Sequence, residues 1–250
     1  MFSEEVAWVT GSSTGIGRAA AVALAEQGCR VVVHYNRSED EAREVVEEIT
    51  SSGGEAALVG GDVSDSGEVR RMVAKIEDRY GRLDILVNNA GSLIERRSLS
   101  EMTEDLWDMV MAVNLKSVYL CSQAVLPMMK RQGRGKVINM TSVAARNGGG
   151  PGSVAYAAAK GGVSTLTRAM AKELVSEGIL VNGIAPGVIT TPFHDRFTPP
   201  EVRETITSSI PIGREGTPEE VAGAVIFLAS PAADYLVGEI IEVNGGQLMS

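Results

Sequence analysis

Short apolar runs rich in β-branched residues alternate along the chain with longer segments whose apolar residues recur at helical spacing. In one such segment, Ala42, Val45, Val46 and Ile49 fall on one side of a helix. The apolar runs predict seven strands, at about 6–10, 30–35, 56–59, 85–88, 136–140, 180–185 and 239–243. The helical patterns predict helices at about 16–27, 39–52, 66–80, 103–113, 115–131, 155–177 and 217–229, with a short one near 201–208.

Strands that are apolar throughout and alternate with helices are typical of a parallel sheet that is buried on both faces. We therefore predict the α/β class: a single doubly wound Rossmann domain over 1–250, with a seven-stranded parallel sheet and helices on both faces. No internal repeat or linker interrupts the pattern. The longest irregular stretch, about 187–216, is predicted to be a substrate lid, with a passive surface loop as the alternative.

The amino-acid composition disfavours several classes of partner and site. The 250 residues are 44% hydrophobic and carry a net charge of −9, which is typical of a globular protein and disfavours nucleic acid as a partner. No metal site is expected, because Cys29 and Cys121 are isolated in apolar surroundings, as small core residues are. The short acidic N-terminus does not resemble a signal peptide, and no uninterrupted apolar run is long enough for a membrane span. We expect a cytoplasmic protein without membrane attachment.

Glycine is abundant, with 28 residues, and its positions carry the first functional signal. The segment Thr10–Gly17 contains three glycines and lies between the first predicted strand and its helix. Glycine permits a sharp turn and a close approach of the backbone to a phosphate, and the start of a helix presents free N–H groups to an anion. This placement predicts a pyrophosphate site.

Several motifs in order resemble those of the short-chain dehydrogenases/reductases, and the resemblance covers nearly the whole chain. They are the loop Thr10–Gly17, Asp62-Val63, the segment Asn88–Gly91, the tetrad Asn114, Ser142, Tyr156 and Lys160, Pro186-Gly187 and Thr190–Pro192. The resemblance implies a dinucleotide cofactor and an enzyme that moves a hydride between nicotinamide and a carbonyl or secondary alcohol. The residues implied to bind the cofactor, besides Tyr156 and Lys160, are Gly11, Ser13, Thr14, Gly15, Ile16, Gly17, His34, Tyr35, Asn36, Arg37, Ser38, Asp62, Val63, Asn89, Ala90, Gly91, Pro186, Gly187, Ile189 and Thr191.

The end of the second strand bears on the choice between the two dinucleotides. An acid there would bond the ribose hydroxyls of NAD and repel a 2′-phosphate, and this chain has Tyr35 instead, followed by Asn36, Arg37 and Ser38. Arg37 would attract the 2′-phosphate, so we favour NADP(H) over NAD(H). The alternative is that Arg37 is a solvated loop charge, since the glycine loop has no basic residue of its own and Arg18 lies just beyond it.

Tyr156 and Lys160 are four residues apart on a predicted helix, so they share a face. Reduction of a carbonyl needs a proton donor beside its oxygen. We expect the lysine ammonium, together with the positive nicotinamide of the oxidised complex, to lower the pKa of the tyrosine. Ser142, just after the fifth strand, is placed to hydrogen-bond the substrate oxygen. The resemblance further implies that Lys160 holds the nicotinamide ribose and that Asn114 supports a water chain to the tyrosine.

The sequence is compatible with several classes of substrate. The glycine-rich loop 148–152 is predicted to form one wall of the substrate site or to be a tolerated surface turn. Further candidate contacts are Leu93, Ile94, Glu95, Arg96, Arg97, Phe193, His194, Arg196 and Phe197. The chain most resembles the 3-oxoacyl-carrier-protein reductase branch, whose substrate is a 3-oxoacyl thioester. The alternatives are a reductase of a sugar, polyol or uronate, and a dinucleotide-binding regulatory protein without catalysis.

Two expectations about partners follow. The cluster Lys130, Arg131 and Arg134 is the nearest candidate for docking an acidic carrier protein, or else the solvated end of a helix. The resemblance also implies a homotetramer, with interfaces on the helices around the fifth strand and on the C-terminal segment from about 240 to 248.

Overall fold

The computed structural model describes residue 2 and residues 4–249, and the described strands form one sheet of seven parallel strands in the order β3-β2-β1-β4-β5-β6-β7. The strands are β1 (Val6–Val9), β2 (Arg30–Tyr35), β3 (Glu55–Gly60), β4 (Ile85–Asn88), β5 (Gly135–Met140), β6 (Ile179–Pro186) and β7 (Ile240–Val243). The register pairs Val9 with Val33 on one side and with Val87 on the other. The predicted doubly wound sheet is confirmed.

Helices lie on both faces of the sheet. They are α1 (Gly15–Glu26), α2 (Glu39–Ser51), α3 (Ser66–Tyr80), α4 (Glu104–Met111), α5 (Ser117–Gln132), α6 (Ala144–Asn147), α7 (Val154–Leu174), α8 (Pro192–Phe197), α9 (Pro200–Ser209) and α10 (Pro218–Ala229). One apolar core joins α1, α2 and α10 to one face of the sheet, and a second joins α3, α5 and α7 to the other.

Three predicted elements differ from the structure. The break expected between 113 and 115 is absent, because a π-helical turn, Ala112–Lys116, joins α4 to α5 in one continuous helix. The 187–216 segment holds α8 and α9 rather than a single short helix, and each begins with proline at a first-turn position, where proline is favoured. The stretch between Ser142 and Tyr156 contains the short helix α6.

The continuous helix Glu104–Gln132 is long and apolar enough to cross a membrane by length and composition alone. In the fold it packs on the sheet: Leu120, Cys121, Val125 and Met129 lie in the core beside β4 and β5. Its apolar composition is therefore that of a core helix. Cys29 and Cys121 are both buried, and burial raises the pKa of each thiol to about 12.

Candidate active site

The predicted site residues gather where the strands end at the carboxyl edge of the sheet. β1 lies between β2 and β4, so the chain leaves β1 and β4 toward opposite faces, and a crevice opens between their ends. The glycine loop follows β1, the segment Asn88–Gly91 ends β4, and Ser142 follows β5. The topology therefore brings together motifs that lie far apart in the sequence.

Side chains from β4 and the end of β1 hold the glycine loop. The Thr10 hydroxyl accepts hydrogen bonds from the backbone N–H groups of Asn89 (2.9 Å) and Ala90 (3.0 Å). The Asn89 side-chain amide donates to the carbonyl oxygens of Thr10 (2.9 Å) and Gly11 (3.0 Å). Asn89, predicted to contact the cofactor, thus also fixes the path of the loop.

Two glycines of the loop are required by its shape. Gly11 has φ +62°, and a Cβ on Gly17 would lie 2.3 Å from the Gly11 carbonyl oxygen and 2.4 Å from the Asn89 side-chain nitrogen. Helix α1 begins at Gly15 with no acid in its first turn and no side-chain cap from Thr14. Its first N–H groups are therefore available to an anion. A tight backbone cradle at an uncapped helix start fits the pyrophosphate of a dinucleotide.

His34, predicted to contact the cofactor, lies beneath the loop with 1% of its surface exposed. Its Nδ1 accepts the Gly11 N–H at 2.8 Å, and its Nε2–H donates to the Gly61 carbonyl at 2.9 Å. This bonding assigns the proton of the neutral ring to Nε2. Burial lowers the pKa of His34 from 6.5 to about 4, so the ring is neutral at pH 7. The structure thereby makes His34 a support of the loop.

The charged residues around the end of β2 differ in whether they have ion-pair partners. Arg37 is exposed and has no hydrogen-bond or ion-pair partner in the described part of the chain. Glu39, the nearby acid, is bonded to Tyr35 and ion-paired with Arg43, and these bonds lower its pKa. Arg18 pairs with Glu48 on α2 at 2.9 Å and so points away from the loop.

The other predicted residues near the adenosine side have structural partners. Asn36 is exposed and Ser38 is half-buried at the start of α2. Asp62 accepts hydrogen bonds from the N–H (2.8 Å) and hydroxyl (2.7 Å) of Ser64, and Val63 is buried. These bonds fix the turn after β3, which places the Asp62-Val63 backbone next to the end of β2.

The segment after β6 completes the far side of the crevice. The Gly187 N–H donates to Val243, and a Cβ on Gly187 would lie 2.8 Å from the Asn244 Cβ and 2.9 Å from the Gln247 Oε1. A Cβ on Gly15 would lie 3.3 Å from the Thr191 methyl group, so this segment touches the glycine loop. Pro186 and Ile189 are buried here. Gln247 Oε1 is buried without a hydrogen-bond partner among the described residues, and no motif marked it in the sequence.

Ser142, Tyr156 and Lys160 meet as predicted. Tyr156 is hydrogen-bonded to Ser142, whose Oγ also accepts the Ala144 N–H at 3.1 Å. The Lys160 Nζ lies 5.6 Å from the centre of the Tyr156 ring and donates to the Met140 carbonyl at 2.7 Å. Lys160 is only 4% exposed, and no carboxylate pairs with it in the described part of the chain.

The pKa of Tyr156 differs from the expectation. Burial raises it to about 12, and the hydrogen bond from Ser142 offsets only part of the effect. Burial also lowers the pKa of Lys160 to about 8, because the ammonium is removed from water. Burial and the Ser142 hydrogen bond are the two influences on the Tyr156 pKa, and the expected lowering by Lys160 is not among them. A phenol with this pKa keeps its proton at neutral pH and can donate it.

Asn114 lies in the π-helical turn and is fully buried. Its side-chain amide donates to the carbonyls of Val110 (2.8 Å) and Ser92 (2.7 Å), and its Oδ1 accepts the Ser92 N–H at 3.1 Å. A Cβ on Gly91 would lie 2.7 Å from Asn114 Oδ1 and 3.4 Å from Lys160 Nζ. The π-helical turn thus fixes the segment after β4 against Lys160.

Apolar side chains surround Tyr156. Helix α4 supplies Leu106, Trp107 and Val110, which pack with Ile94, Met102, Ala155 and Tyr156. The Phe193 ring of α8 lies 5.8 Å from the Tyr156 ring, and Phe197 lies 5.1 Å from Phe193. The sequence interpretation missed Met102 and Trp107, which only the packing of α4 identifies. No group of three or more His, Cys, Asp or Glu within the described residues could hold a metal ion.

Ile94 is the one non-glycine residue with positive φ in the described part of the chain, at +60°. A β-branched residue in this region is strained and persists only where its surroundings hold it. The Ser92 hydroxyl accepts the Ile94 N–H at 2.9 Å, while Asn114 holds both backbone groups of Ser92. The strain therefore lies beside the Tyr156 cluster.

Comparisons with known proteins agree with this geometry. The family model described as enoyl-(acyl carrier protein) reductase, of the short-chain dehydrogenase/reductase type, matches residues 11–247. A 3-oxoacyl-(acyl-carrier-protein) reductase of Synechocystis is 45% identical over 98% of this chain and 97% of its own. The structure of a proposed gluconate dehydrogenase from Agrobacterium tumefaciens has a TM-score of 0.94, 34% identity, and coverage of 99% and 97% of the two chains. That of a proposed NAD(P)-dependent gluconate 5-dehydrogenase from Beutenbergia cavernae, with bound NADP, has a TM-score of 0.93, 36% identity, and coverage of 100% and 98%.

Proposed function

The chain belongs to the short-chain dehydrogenase/reductase family of oxidoreductases, and from that premise we propose that it is an NADPH-dependent reductase of 3-oxoacyl thioesters. The apolar surroundings of Tyr156 carry the choice of substrate. An acyl chain gains by burial against Ile94, Trp107 and Phe193, whereas a polyhydroxylated sugar would leave hydroxyl groups unbonded there. The Synechocystis relative is named for the same substrate class.

The proposed mechanism uses three side chains of this protein. The reduced nicotinamide, when bound, supplies hydride to the carbonyl carbon. The Tyr156 hydroxyl gives its proton to the carbonyl oxygen, which becomes the alcohol, and the Ser142 hydroxyl hydrogen-bonds that oxygen as its charge grows. Lys160, anchored by one bond to Met140, has two further N–H donors for the nicotinamide ribose.

Asn114 is proposed to support the return of a proton to Tyr156. Its side chain is fully used in bonds to Ser92 and Val110, and these bonds hold open a π-helical turn whose backbone bonding is irregular. A carbonyl released by such a turn is a suitable acceptor for a bound water. The cofactor-binding residues predicted from the sequence are proposed in the same roles, with His34 reassigned to support of the glycine loop.

A steady-state comparison tests the substrate assignment. We expect turnover with acetoacetyl-CoA and NADPH, and a much lower kcat/KM with gluconate and NADP⁺. The Tyr156→Phe variant is expected to lose about 10²–10⁴-fold in kcat, which is the usual range for a general acid. Tyr80→Phe is the matched control, because Tyr80 lies at the end of α3 and outside the cluster around Tyr156. The sugar-acid alternative, favoured by the two gluconate dehydrogenase structures, is supported instead if gluconate is the better substrate. Full activity in Tyr156→Phe would contradict the proposed mechanism, and absence of turnover by the wild type with every substrate would support the non-catalytic alternative.

The preference for NADPH is proposed from the exposed Arg37, which has no partner in the described part of the chain, and from the ion pair that occupies Glu39. The Beutenbergia structure holds NADP, which is consistent with this choice. Arg37→Ala is expected to lower kcat/KM for NADPH about tenfold and to leave NADH unchanged, because only the phosphate interaction is removed. Arg18→Ala is the matched control, since Arg18 is paired with Glu48. Equal efficiency of the wild type with both cofactors contradicts the proposal.

The basic cluster considered for docking a carrier protein is not free. Lys130 pairs with Glu177, Arg131 with Glu77, and Arg134 with Asp84 and Glu5. These ion pairs of exposed basic side chains favour the alternative that the cluster is the solvated end of a helix. A carrier-linked substrate would need other contacts, and a comparison of acyl-CoA with acyl carrier protein substrates measures their contribution.

The cytoplasm and a homotetramer are proposed as the location and assembly. Two apolar surfaces support self-association: Met109 and Tyr119 are exposed on α4 and α5, and Phe227, Tyr235 and Val237 are exposed near β7. Light scattering at micromolar concentration is expected to give four times the 26.4 kDa chain mass. A monomer would contradict the assembly and leave the reaction unaffected.

A further inference from the structure

Three segments enclose the Tyr156 cluster: residues 92–97 after β4, the glycine-rich loop 148–152, and the lid, defined as residues 187–216 with α8 and α9. A main-chain hydrogen bond from Arg97 N–H to the Gly152 carbonyl (3.2 Å) joins the first two. The lid is joined to these two segments by hydrogen bonds from one side chain.

That side chain is Arg96. Its Nε donates to the Phe197 carbonyl at the end of α8 at 2.6 Å, and its Nη1 donates to the Pro151 carbonyl at 2.9 Å. Across the described residues, no other hydrogen bond or ion pair links α8 or α9 to any residue outside the lid. The lid is bonded to the body near its ends, at Gly187 and Ile212, but the hydrogen bonding of α8 and α9 to the body depends on a single guanidinium.

The lid itself is internally cross-linked. Arg203 on α9 is ion-paired with Asp195 on α8 and with Glu215 at the end of the lid. Glu215 also accepts from the hydroxyl groups of Thr190 (2.9 Å) and Thr207 (3.1 Å). Because α8 and α9 are bonded to each other, they are expected to move as one body. The hydrogen bond from Arg96 to the Phe197 carbonyl must break when they move.

Arg96 differs from its neighbour in its partners. Arg97 is exposed and ion-paired with Glu95, whereas Arg96 is half-buried and meets carbonyl oxygens only. Burial without a carboxylate lowers the pKa of Arg96. An arginine with five donors in a planar fork can serve two separate carbonyls at once, which the single ammonium of lysine does less well.

We propose that Arg96 is a positioning residue that latches the lid over the active site and sets Phe193 against Tyr156. The connection is short: the Phe197 ring lies 5.1 Å from Phe193, and Phe193 lies 5.8 Å from Tyr156. When the Arg96–Phe197 bond opens, α8 loses its tie to the body and Phe193 leaves the tyrosine, while the bond to Pro151 keeps Arg96 in place for reclosure.

Hydrogen exchange in the protein without added ligand tests the latch independently of any substrate. Arg96→Ala is expected to speed exchange in peptides covering 192–209 about tenfold, the effect of losing a charged hydrogen bond, with no change in 10–26. Arg96→Lys is expected to give an intermediate rate. Arg97→Ala, the matched control, is expected to leave exchange in the lid unchanged. Equal lid exchange in Arg96→Ala and the wild type overturns the proposal, as does an equal increase throughout the chain in both Arg96 variants.

A second measurement rests on the proposed function. With acetoacetyl-CoA as substrate, Arg96→Ala is expected to raise KM about tenfold, with partial recovery in Arg96→Lys and a smaller change in kcat, because the lid orders the substrate wall. A loss confined to kcat overturns the positioning role. If acetoacetyl-CoA is not a substrate at all, the substrate assignment fails, while the exchange result still decides the latch.

Discussion

His34 makes the glycine loop sensitive to pH, and replacing it tests how the cofactor side of the site is built. The ring is 1% exposed and bridges the Gly11 N–H (2.8 Å) and the Gly61 carbonyl (2.9 Å). Only the neutral ring can make both bonds, because a protonated imidazole has no acceptor nitrogen. The pKa of His34 in the folded protein is accordingly lowered from 6.5 to about 4.

The sign and size of the effect follow from this shift. As the pH falls below 6.5, the unfolded chain takes up the proton before the folded chain does, so protonation favours unfolding. One pKa unit corresponds to about 1.4 kcal/mol. The loss of stability due to His34 is therefore about 2 kcal/mol at pH 5 and about 3 kcal/mol near pH 4, relative to pH 7.5.

Urea unfolding at fixed protein concentration, at pH values from 7.5 to 5, measures this loss. His34→Asn is expected to be less stable than the wild type at pH 7.5, and the difference should shrink by about 2 kcal/mol at pH 5 because the variant has no ring to protonate. His194→Asn, which replaces the other histidine, should retain the loss due to His34. Parallel curves for the wild type and His34→Asn across this pH range would refute the reasoning.

Four further variants have expected outcomes. Gly17→Ala should weaken NADPH binding at least tenfold in a fluorescence titration, because the added Cβ would lie 2.3 Å from the Gly11 carbonyl oxygen. Gly223→Ala should instead stabilise the fold by about 1 kcal/mol in urea unfolding, because Gly223 lies in helix α10 with open space around it. Asn114→Ala should lower the free energy of unfolding by about 2 kcal/mol and lower kcat as well, because buried groups of Ser92 and Val110 lose their partners. Asp84→Asn, far from the site, should cost about 2 kcal/mol of stability with kcat unchanged, because Arg82 and Arg134 lose their buried partner.

The elements and motifs that depend on local patterns were predictable. Apolar strand runs specify a buried parallel sheet, and the glycine spacing of Thr10–Gly17 specifies a turn whose shape depends on a few adjacent dihedral angles. Tyr156 and Lys160 meet because a helix places residues four apart on one face. Each of these predictions depends only on residues that are close together in the sequence.

Features that depend on distant partners could not be read from the sequence. The π-helical turn at Asn114 is stabilised by Ser92, 22 residues away, so helical periodicity alone predicted a break there. His34 acquires its role from Gly61, and Arg96 from Pro151 and Phe197, more than 50 residues away. The high pKa of Tyr156 comes from burial by α4 and α8, whereas the sequence interpretation considered the charges of Lys160 and the nicotinamide and left burial out. The helix starts at Pro192 and Pro200 were a local signal that was missed.

The two halves of the site are held by different kinds of bonds, and this predicts how they respond to substitution. On the cofactor side, Thr10, His34 and Asn89 bond the glycine loop to three strands through buried groups, so changes there should alter affinity and stability together. On the substrate side, α8 and α9 are bonded to each other and meet the body through Arg96. Stability resides mainly in the sheet and its two cores, which contain no residue of α8 or α9. Changes in the lid should therefore alter KM and substrate choice with little effect on unfolding, and the reactive groups between the halves remain set by the sheet.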